Sequence, residues 1–228
     1  MKRKSIFKNL LTGTSILLFA AMISSCKKDD IDETGSANLK VVNASSASSD
    51  QSFLLANKTV VSGGLSFGDA TDYIATNSGN NLQAEFRNEG ASTAFASDDV
   101  DLDNGSNYTV FLAGDGQSAR VKLYQDDLSA PASGQAKIRF IHLSDAAPAN
   151  IDIRNASGDN LATNLAHDAS SNYLNVAPGV LSLQVFATGQ STSIGTFNLS
   201  AFTAGNIYTV YITGSTSDNI TVRQITHN

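Results

Sequence analysis

The chain repeats itself at an offset of one hundred residues, and this repeat constrains the fold more than any other feature. The openings of the two copies, 37–43 and 136–142, match at an offset of ninety-nine. Two copies of one unit predict two domains of the same fold, at 37–127 and 136–228, joined by a linker at 128–135. The later matches are NYTVFLAG at 107–114 with IYTVYITG at 207–214, Tyr73 with Tyr173, Gly79 with Gly179 and Phe86 with Phe186.

Inside each copy, apolar and polar residues alternate over short runs that are bounded by Gly, Asn, Asp and Ser. Tyr208, Val210 and Ile212, for example, alternate with Thr209 and Thr213. This period of two is typical of half-buried strands, and many short strands favour a sandwich or barrel. The predicted fold class is all-β, with two tandem Ig-like antiparallel β-sandwich domains after a signal peptide and a flexible tether.

A tyrosine opens a late strand in both copies. Gly105 and Gly205 stand three residues before Tyr108 and Tyr208. Two interpretations remain open: either the hydroxyl bonds back to the preceding loop, as in Ig-like domains, or the tyrosines are simply amphipathic strand residues.

The first 25 residues are typical of a secretory signal peptide, with a basic head followed by an apolar segment at 10–23. That segment is too short for a spanning helix, which needs about 20 apolar residues. The next residues, Ile23-Ser24-Ser25-Cys26, resemble the lipobox of bacterial lipoproteins. The resemblance implies cleavage before Cys26 and a lipid on its sulfur, so the expected partner is the membrane. The alternative is a soluble secreted protein with an incidental cysteine.

Residues 26–36 are polar and predict a lipidated, flexible tether. The run Lys28-Asp29-Asp30 resembles the Lys-acid-acid signals of surface-exposed lipoproteins in Bacteroidetes. The expected location is therefore the bacterial outer membrane, at the cell surface, with a periplasm-facing lipoprotein as the alternative. Beyond the first 25 residues, 11 basic and 21 acidic residues remain. So acidic a chain predicts no nucleic-acid partner.

The opening of the second copy, IRFIHLSDAAPANIDI at 138–153, resembles a bacterial family, the domain of unknown function numbered 4397. Tyr173, the Pro178-Gly179 turn and the GNIYTV strand at 205–210 continue the likeness. The first copy departs from this pattern, since Asn43 stands where His142 would be. The family implies exported, β-rich, often tandem or tethered domains, and it supplies no catalytic residues.

Binding residues are expected on loops, here 143–150 and 187–192. The candidates are His142, Ser144, Asp145 and Asp152. His142 beside the two aspartates could form an acid–base pair. The alternative is a histidine packed at a strand end.

Asp99, Asp101 and Asp103 alternate in the densest acidic stretch and are a weak Ca²⁺ candidate. The stretch lacks the glycine and glutamate of an EF-hand, and a solvated strand face is the alternative. The three histidines have no metal-ligand spacing, so no metal and no cofactor are expected.

No nucleophile elbow, phosphate loop or zinc motif occurs, so the chain is expected not to be an enzyme. The leading hypothesis is a lipid-anchored cell-envelope protein that presents two β-sandwiches for binding, adhesion or structural spacing, with an extracellular glycan or protein as the possible ligand. The alternative is a glycan-binding accessory lipoprotein of a polysaccharide uptake system, although the chain has no tryptophan to stack on sugars.

Overall fold

A computed structural model describes residues 29–227, and over this range the chain is all-β. The predicted signal peptide, Cys26 and the first residues of the predicted tether lie outside the described residues. Within the described range, no helix has the length and apolar character needed to cross a bilayer.

Strands and two short 3₁₀ turns make up the regular structure. The first repeat contains β1 (Asp30–Asn43), β2 (Gln51–Leu55), β3 (Lys58–Leu65), β4 (Ile74–Asn88), β5 (Ala96–Leu102), β6 (Asn107–Ala113), a 3₁₀ turn (Gly116–Ser118) and β7 (Arg120–Gln125). The second contains β8 (Ala136–His142), β9 (Asn150–Asn155), β10 (Asn160–Ala166), β11 (Leu174–Val176), β12 (Ser182–Ala187), β13 (Ser193–Asn198), β14 (Ile207–Thr213), a 3₁₀ turn (Ser217–Asn219) and β15 (Thr221–Thr226).

The first repeat is one continuous sheet that folds into two layers. Its order is β3-β2-β4-β1-β6-β7, and β5 also pairs with β4. The long strand β4 serves both layers, because its first half pairs with β1 and its second half pairs with β2 and β5.

The second repeat has two separate four-stranded sheets, β10-β9-β12-β13 and β11-β8-β14-β15. Here the counterpart of β4 is split into β11 and β12 by Pro178 and Gly179. Proline has no backbone N–H for the ladder, so it interrupts pairing at the place where Ser78 continues it in β4.

One pair of strands in each repeat is parallel, which departs from the predicted antiparallel arrangement. β1 pairs with β6, and β8 pairs with β14, in parallel register. Parallel neighbours need a long crossover connection, which four strands provide in the first repeat and five in the second. The all-β, sandwich-like prediction is confirmed, and the Ig-like assignment stays a prediction.

The first strand begins before the predicted end of the tether at Ser36. Asp30 and Asp32 pair with Asn80 and Ser78 of β4. The Oδ1 atom of Asp29 accepts a hydrogen bond from the Gln83 N–H at 2.7 Å. This part of β1 is mostly exposed and held by main-chain pairing, so it lacks the apolar alternation that marks buried strands.

Each repeat has its own apolar core between its layers. Phe86 lies in the first core, whereas its sequence match Phe186 points away from the second core, with the Arg154 guanidinium 4.2 Å from its ring centroid. Val185 takes the core position instead. The register of β4 shifts between Gly79 and Leu82, and a slip of one residue moves a side chain to the other face.

Both tyrosines bond back to the loop before their strand. The Tyr108 hydroxyl accepts the Asp103 N–H at 3.2 Å, and the Tyr208 hydroxyl accepts the Thr203 N–H at 3.1 Å. The first of the two interpretations of these residues is therefore confirmed.

Candidate functional site

The two repeats pack against each other through a third apolar cluster, here called the seam. Its fully buried members come from both repeats. At its centre the rings of Phe111 and Tyr211 meet edge to face, with their centroids 5.4 Å apart. The other members are Val42, Ala44, Ala113, Ile141, Leu143 and Ile225, with Tyr124 at the margin.

The contact is reciprocal, because each repeat uses the same face. Phe111 and Tyr211 occupy equivalent positions on β6 and β14. Arg120 of β7 reaches the Asp168 turn of the second repeat, and Arg223 of β15 covers the ring of Phe67 in the first. Equivalent patches that meet in this way have the geometry of a two-fold interface.

A buried polar network crosses the seam beside this apolar centre. Arg139 of the second repeat forms an ion pair with Asp126 of the first, and both side chains are almost fully buried. The Arg139 Nε also donates to the Thr209 hydroxyl at 2.9 Å. Asp126 accepts hydrogen bonds from the hydroxyls of Tyr73 and Thr109, at 2.6 and 2.7 Å. The carboxylate is thus satisfied from both repeats, as a buried charge must be.

His227 completes the network at the position equivalent to Asp126. Its two ring nitrogens lie 2.8 Å from the hydroxyls of Tyr73 and Thr209. The pKa of His227 is lowered to about 3, because burial disfavours the imidazolium and Arg139 and Lys40 repel it. The His227 imidazole is therefore neutral at physiological pH. Burial raises the pKa of Asp126, although Arg139 opposes the rise.

The predicted site residue Asp145 lies in a charged cluster at one margin of the seam. Arg120 bonds to Asp145 at 2.8 Å and to Asp168 at 2.8 Å, and Lys122 reaches Asp168 at 3.1 Å. The His167 Nε2 lies 3.0 Å from the Asp145 carboxylate. Burial acts to raise the pKa of Asp168, but hydrogen bonds and charge from Arg120 outweigh it and lower that pKa. The cluster joins β7 to two turns of the second repeat.

A second hydrogen-bonded cluster, around Asp115, lies at another margin of the seam. This carboxylate accepts from the hydroxyls of Ser45, Ser46 and Ser215, at 2.5, 2.8 and 2.6 Å. Burial opposes ionisation, but the bonds from Ser215 and the other donors outweigh it and lower the pKa of Asp115. Ser215 belongs to the second repeat, so this cluster also ties the repeats together.

His142 and Ser144, two further predicted site residues, are fully buried and engaged in structural hydrogen bonds. The His142 Nε2 lies 2.9 Å from the Pro148 carbonyl oxygen, and its Nδ1 accepts from the Ser144 N–H at 3.3 Å. The Ser144 hydroxyl donates to the Gly214 carbonyl at 2.8 Å. Burial lowers the pKa of His142. This geometry matches a histidine packed at a strand end.

Asp152 lies apart from the other three predicted residues and serves a different loop. Its carboxylate accepts from the N–H groups of Asn164 and Gly189 and from the Thr188 hydroxyl, at 2.9, 3.2 and 3.1 Å. Burial tends to raise the pKa of Asp152, but these bonds lower it overall. Asp152 therefore shapes the predicted 187–192 loop.

The three aspartates of the Ca²⁺ candidate stay on an exposed strand edge. Asp101 accepts from the Asn81 N–H at 2.8 Å, and Asp103 accepts from the Tyr108 hydroxyl at 3.1 Å. Across residues 29–227, no three His, Cys, Asp or Glu side chains are grouped so that they could hold a metal ion. Asp99, Asp101 and Asp103 thus do not converge on one point.

An open polar cleft of about 510 Å³ lies at the edge of the seam. Its floor is the Arg139–Asp126 pair, and Tyr173 stands on one side with the Lys137 ammonium 5.0 Å from its ring centroid. Burial raises the pKa of Tyr173 to about 12. The remaining lining is hydroxyl, amide and carboxylate, from Gln125, Asp127, Ser170, Ser171 and Asn172. The cleft offers many hydrogen-bonding groups and one aromatic ring.

A smaller cleft of about 230 Å³, here called the apolar cleft, opens in the first repeat between β3 and the start of β4. Its lining is largely aliphatic. The residues are Ile31, Leu55, Ala56, Lys58, Thr59, Val60, Ile74, Ala75, Thr76, Asn77 and Leu82.

Sequence reasoning missed the seam, although one signal for it was present. Residues 110–113 are a continuous apolar run (VFLA), and β6 is buried on both faces. Strands covered on both faces read as continuous apolar runs rather than as alternation. The partners Arg120 and Asp168 are far apart in the chain, and no local pattern links them.

Comparisons with known proteins give one family. The family model described as "Domain of unknown function (DUF4397)" matches residues 37–154, just over half of the chain. This range spans the whole first repeat and the opening of the second. No curated protein matches the chain. Among solved structures, the Bacillus anthracis TIE protein is similar with 10% identity and a TM-score of 0.25, over 86% of this chain. The chain spans about a third (34%) of that protein's length. The chain belongs to the DUF4397 domain family, with a second, related repeat continuing beyond the matched range.

Proposed function

We propose that this chain is a non-enzymatic, lipid-anchored protein of the bacterial outer membrane, exposed at the cell surface, which presents its paired β-sandwiches for binding, adhesion or spacing. The observation that carries the proposal is the lipobox-like Ile23-Ser24-Ser25-Cys26 after a signal-like segment. Two or more acyl chains anchor a protein stably, whereas one chain is marginal.

The paired repeats support a presenting role. The seam buries Phe111 and Tyr211 completely, and Arg139 and Asp126 form an ion pair across it. Two domains held in this way offer one surface of fixed shape rather than two independent ones. His142, the candidate acid–base group, is buried and bonded to the Pro148 carbonyl, which supports a non-enzymatic role.

Palmitate labelling tests the anchor. Cells that express the full chain are grown with labelled palmitate, and the Cys26→Ala variant serves as the control. We expect label in the wild-type protein and none in the variant, which should also leave the membrane fraction. Equal labelling of both proteins would refute the anchor.

Protease treatment of intact cells tests surface exposure. We expect the protein to be degraded while a periplasmic marker survives. Protection of both proteins until the outer membrane is permeabilised would place the chain on the periplasmic side instead.

The polar cleft favours a second candidate, a glycan-binding accessory lipoprotein of a polysaccharide uptake system. Tyr173 beside Asn172, Ser171 and Asp127 combines one ring with several hydrogen-bonding groups, the mixture that small-molecule sites use to orient a polar ligand.

Glycan-array binding at micromolar strength tests this candidate. Asn172→Ala should abolish binding, because the amide lines the cleft. Asp72→Ala, at the equivalent position of the first repeat and outside this cleft, is the matched control. An array without binding, or equal loss in both variants, would exclude the polar cleft as a glycan site.

A further inference from the structure

The apolar cleft lies where the described chain begins. Ile31 of β1 lines it, together with Leu55 and Val60 on one side and Ile74 and Leu82 on the other. Leu55 and Leu82 form its buried floor, while the others are only partly covered. Lys58 at the cleft is exposed. The cleft thus has an aliphatic interior and a cation at its rim.

The residues that hold Asp29 are chain neighbours of the residues that line the cleft. The Asp29 carboxylate accepts a hydrogen bond from the Gln83 N–H at 2.7 Å. The Asn57 Nδ2 atom lies 3.5 Å from the same carboxylate, at the limit for a hydrogen bond. Gln83 follows the lining residue Leu82, and Asn57 stands between the lining residues Ala56 and Lys58. Asp29 is therefore fixed at the cleft, three residues after Cys26.

Only three residues of chain separate Cys26 from Asp29. Three residues in the most extended conformation span about 11 Å. A lipid on the Cys26 sulfur would therefore be tethered within reach of the opening. A tether of this length gives an effective concentration in about the millimolar range, which favours the attached lipid over a free one.

We propose that the apolar cleft binds one acyl chain of the lipid on Cys26, and that this contact holds the first repeat against the membrane. The inference rests on the proposed lipid anchor and deepens it by naming where part of the lipid is bound. Lys58 at the rim supplies a cation that would attract the phosphate of a neighbouring phospholipid in the bilayer.

The size of the cleft suits part of an acyl chain. One water molecule occupies ~30 Å³ in the liquid. If one methylene group needs the same volume, the cleft of about 230 Å³ holds about eight methylene groups. The rest of the chain would extend toward the bilayer. The acyl chain is accommodated equally well in the bilayer, so its own transfer contributes little. The driving force is the removal of the apolar wall of the cleft from water when the acyl chain fills the cleft.

Photo-cross-linking of the full chain tests this contact. Cells that lipidate the protein are fed a palmitate analogue that carries a diazirine along its chain. The purified protein is irradiated in nanodiscs, and cross-linked peptides are mapped by mass spectrometry. We expect intramolecular cross-links to 55–60 and 74–77. Val60→Trp, which fills the cleft, should reduce their yield several-fold, whereas Leu161→Trp, at the equivalent position of the second repeat, should not.

The outcomes separate this inference from the proposed function. If the analogue labels the protein but cross-links only to surrounding lipid, the cleft is not the binding site and the anchor stands. If no label enters the protein, the anchor and the cleft contact both fail. Should Val60→Trp not fold, the wild-type cross-link map still decides the matter.

Discussion

At the scale of single residues, equivalent positions in the two repeats carry side chains with different chemistry. Phe111 and Tyr211 are both fully buried in the seam. The Tyr211 hydroxyl has no hydrogen-bond partner among residues 29–227, whereas the Tyr208 hydroxyl is bonded to its loop. A buried hydroxyl without a hydrogen-bond partner destabilises the folded state, whereas a buried hydroxyl with a partner stabilises it.

Tyr211→Phe should therefore raise the free energy of unfolding by about 1 kcal/mol, since it removes an unpaired buried group. Phenylalanine already fits the equivalent position 111. Tyr208→Phe should lower the free energy of unfolding by about the same amount, because it removes a made bond. Urea unfolding of both variants measures the two effects. Equal destabilisation by both changes would contradict the assignment of the unpaired hydroxyl.

His227 should make the stability of the protein depend on pH. Its pKa is about 3 in the fold and about 6.5 when unfolded, so the unfolded state binds the extra proton between these values. Stability is then fully present above pH 6.5 and falls as the pH drops toward 3, by about 1.4 kcal/mol per pH unit for one such group. His227→Gln keeps hydrogen-bonding groups and does not titrate.

Urea unfolding of the wild type and His227→Gln at pH 7, 6 and 5 measures this dependence. The difference in stability between the two proteins should narrow or reverse as the pH falls. Asp126 is present in both, so its own titration largely cancels in the comparison. A difference that stays constant from pH 7 to 5 would exclude His227 as the source.

At this scale the sequence predicts local roles better than distant ones. The tyrosine bonds to the preceding loop span five residues, and the Gly-x-x-Tyr spacing indicates them. The Arg139–Asp126 pair depends on how two domains meet, and no pattern in either segment predicts it. The predicted group His142, Ser144, Asp145 and Asp152 is close in sequence, yet its members serve three different contacts.

At the scale of elements, β4 and its counterpart show how one residue changes a sheet. Ser78 sits in the β4 ladder opposite Asp32, while Pro178 separates β11 from β12. The first repeat consequently keeps one continuous sheet, and the second has two. The continuous β4 also provides the edge on which the start of β1 pairs.

Ser78→Pro should release the start of β1 and lower the free energy of unfolding by about 1 kcal/mol or more, because a ladder bond is lost. Hydrogen exchange at 30–32 should become faster. Pro178→Ser is the matched control and should change exchange at 30–32 little. Unchanged exchange in Ser78→Pro would mean that pairing with β4 does not hold this segment.

The alternation predicts most strands, because it reflects one buried and one exposed face. It does not predict the strand at 30–36, whose side chains are mainly exposed. The match of Phe86 with Phe186 at constant offset also does not extend to their surroundings, because a constant offset cannot detect the shifted register of β4. Both differences arise where main-chain pairing, rather than side-chain burial, determines the structure.

At the scale of the whole molecule, the seam joins the repeats into one body. It combines an apolar centre with ionic and hydrogen-bonded clusters around Arg139, Arg120 and Asp115. Breaking the seam would expose Phe111 and Tyr211 and leave buried charges unpaired. The repeats should therefore unfold together.

Calorimetry tests this coupling. The wild-type protein should unfold in one transition. Phe111→Ala should lower the free energy of unfolding by about 3–5 kcal/mol. It should also separate the unfolding of the two repeats into two transitions. Phe53→Ala, in the core of the first repeat and away from the seam, should lower the temperature of a single transition. Two transitions in the wild type would show that the seam does not couple the repeats.

The reciprocal seam also has a consequence for how such a chain can diverge. In a homodimer of identical single repeats, the position shared by Asp126 and His227 would hold either two carboxylates or two imidazoles. Gene duplication and fusion remove that restriction, because each copy can then mutate alone. An acid in one half and a neutral base in the other, around one arginine, is therefore a combination that a homodimer of identical repeats cannot have, and that the fused chain has.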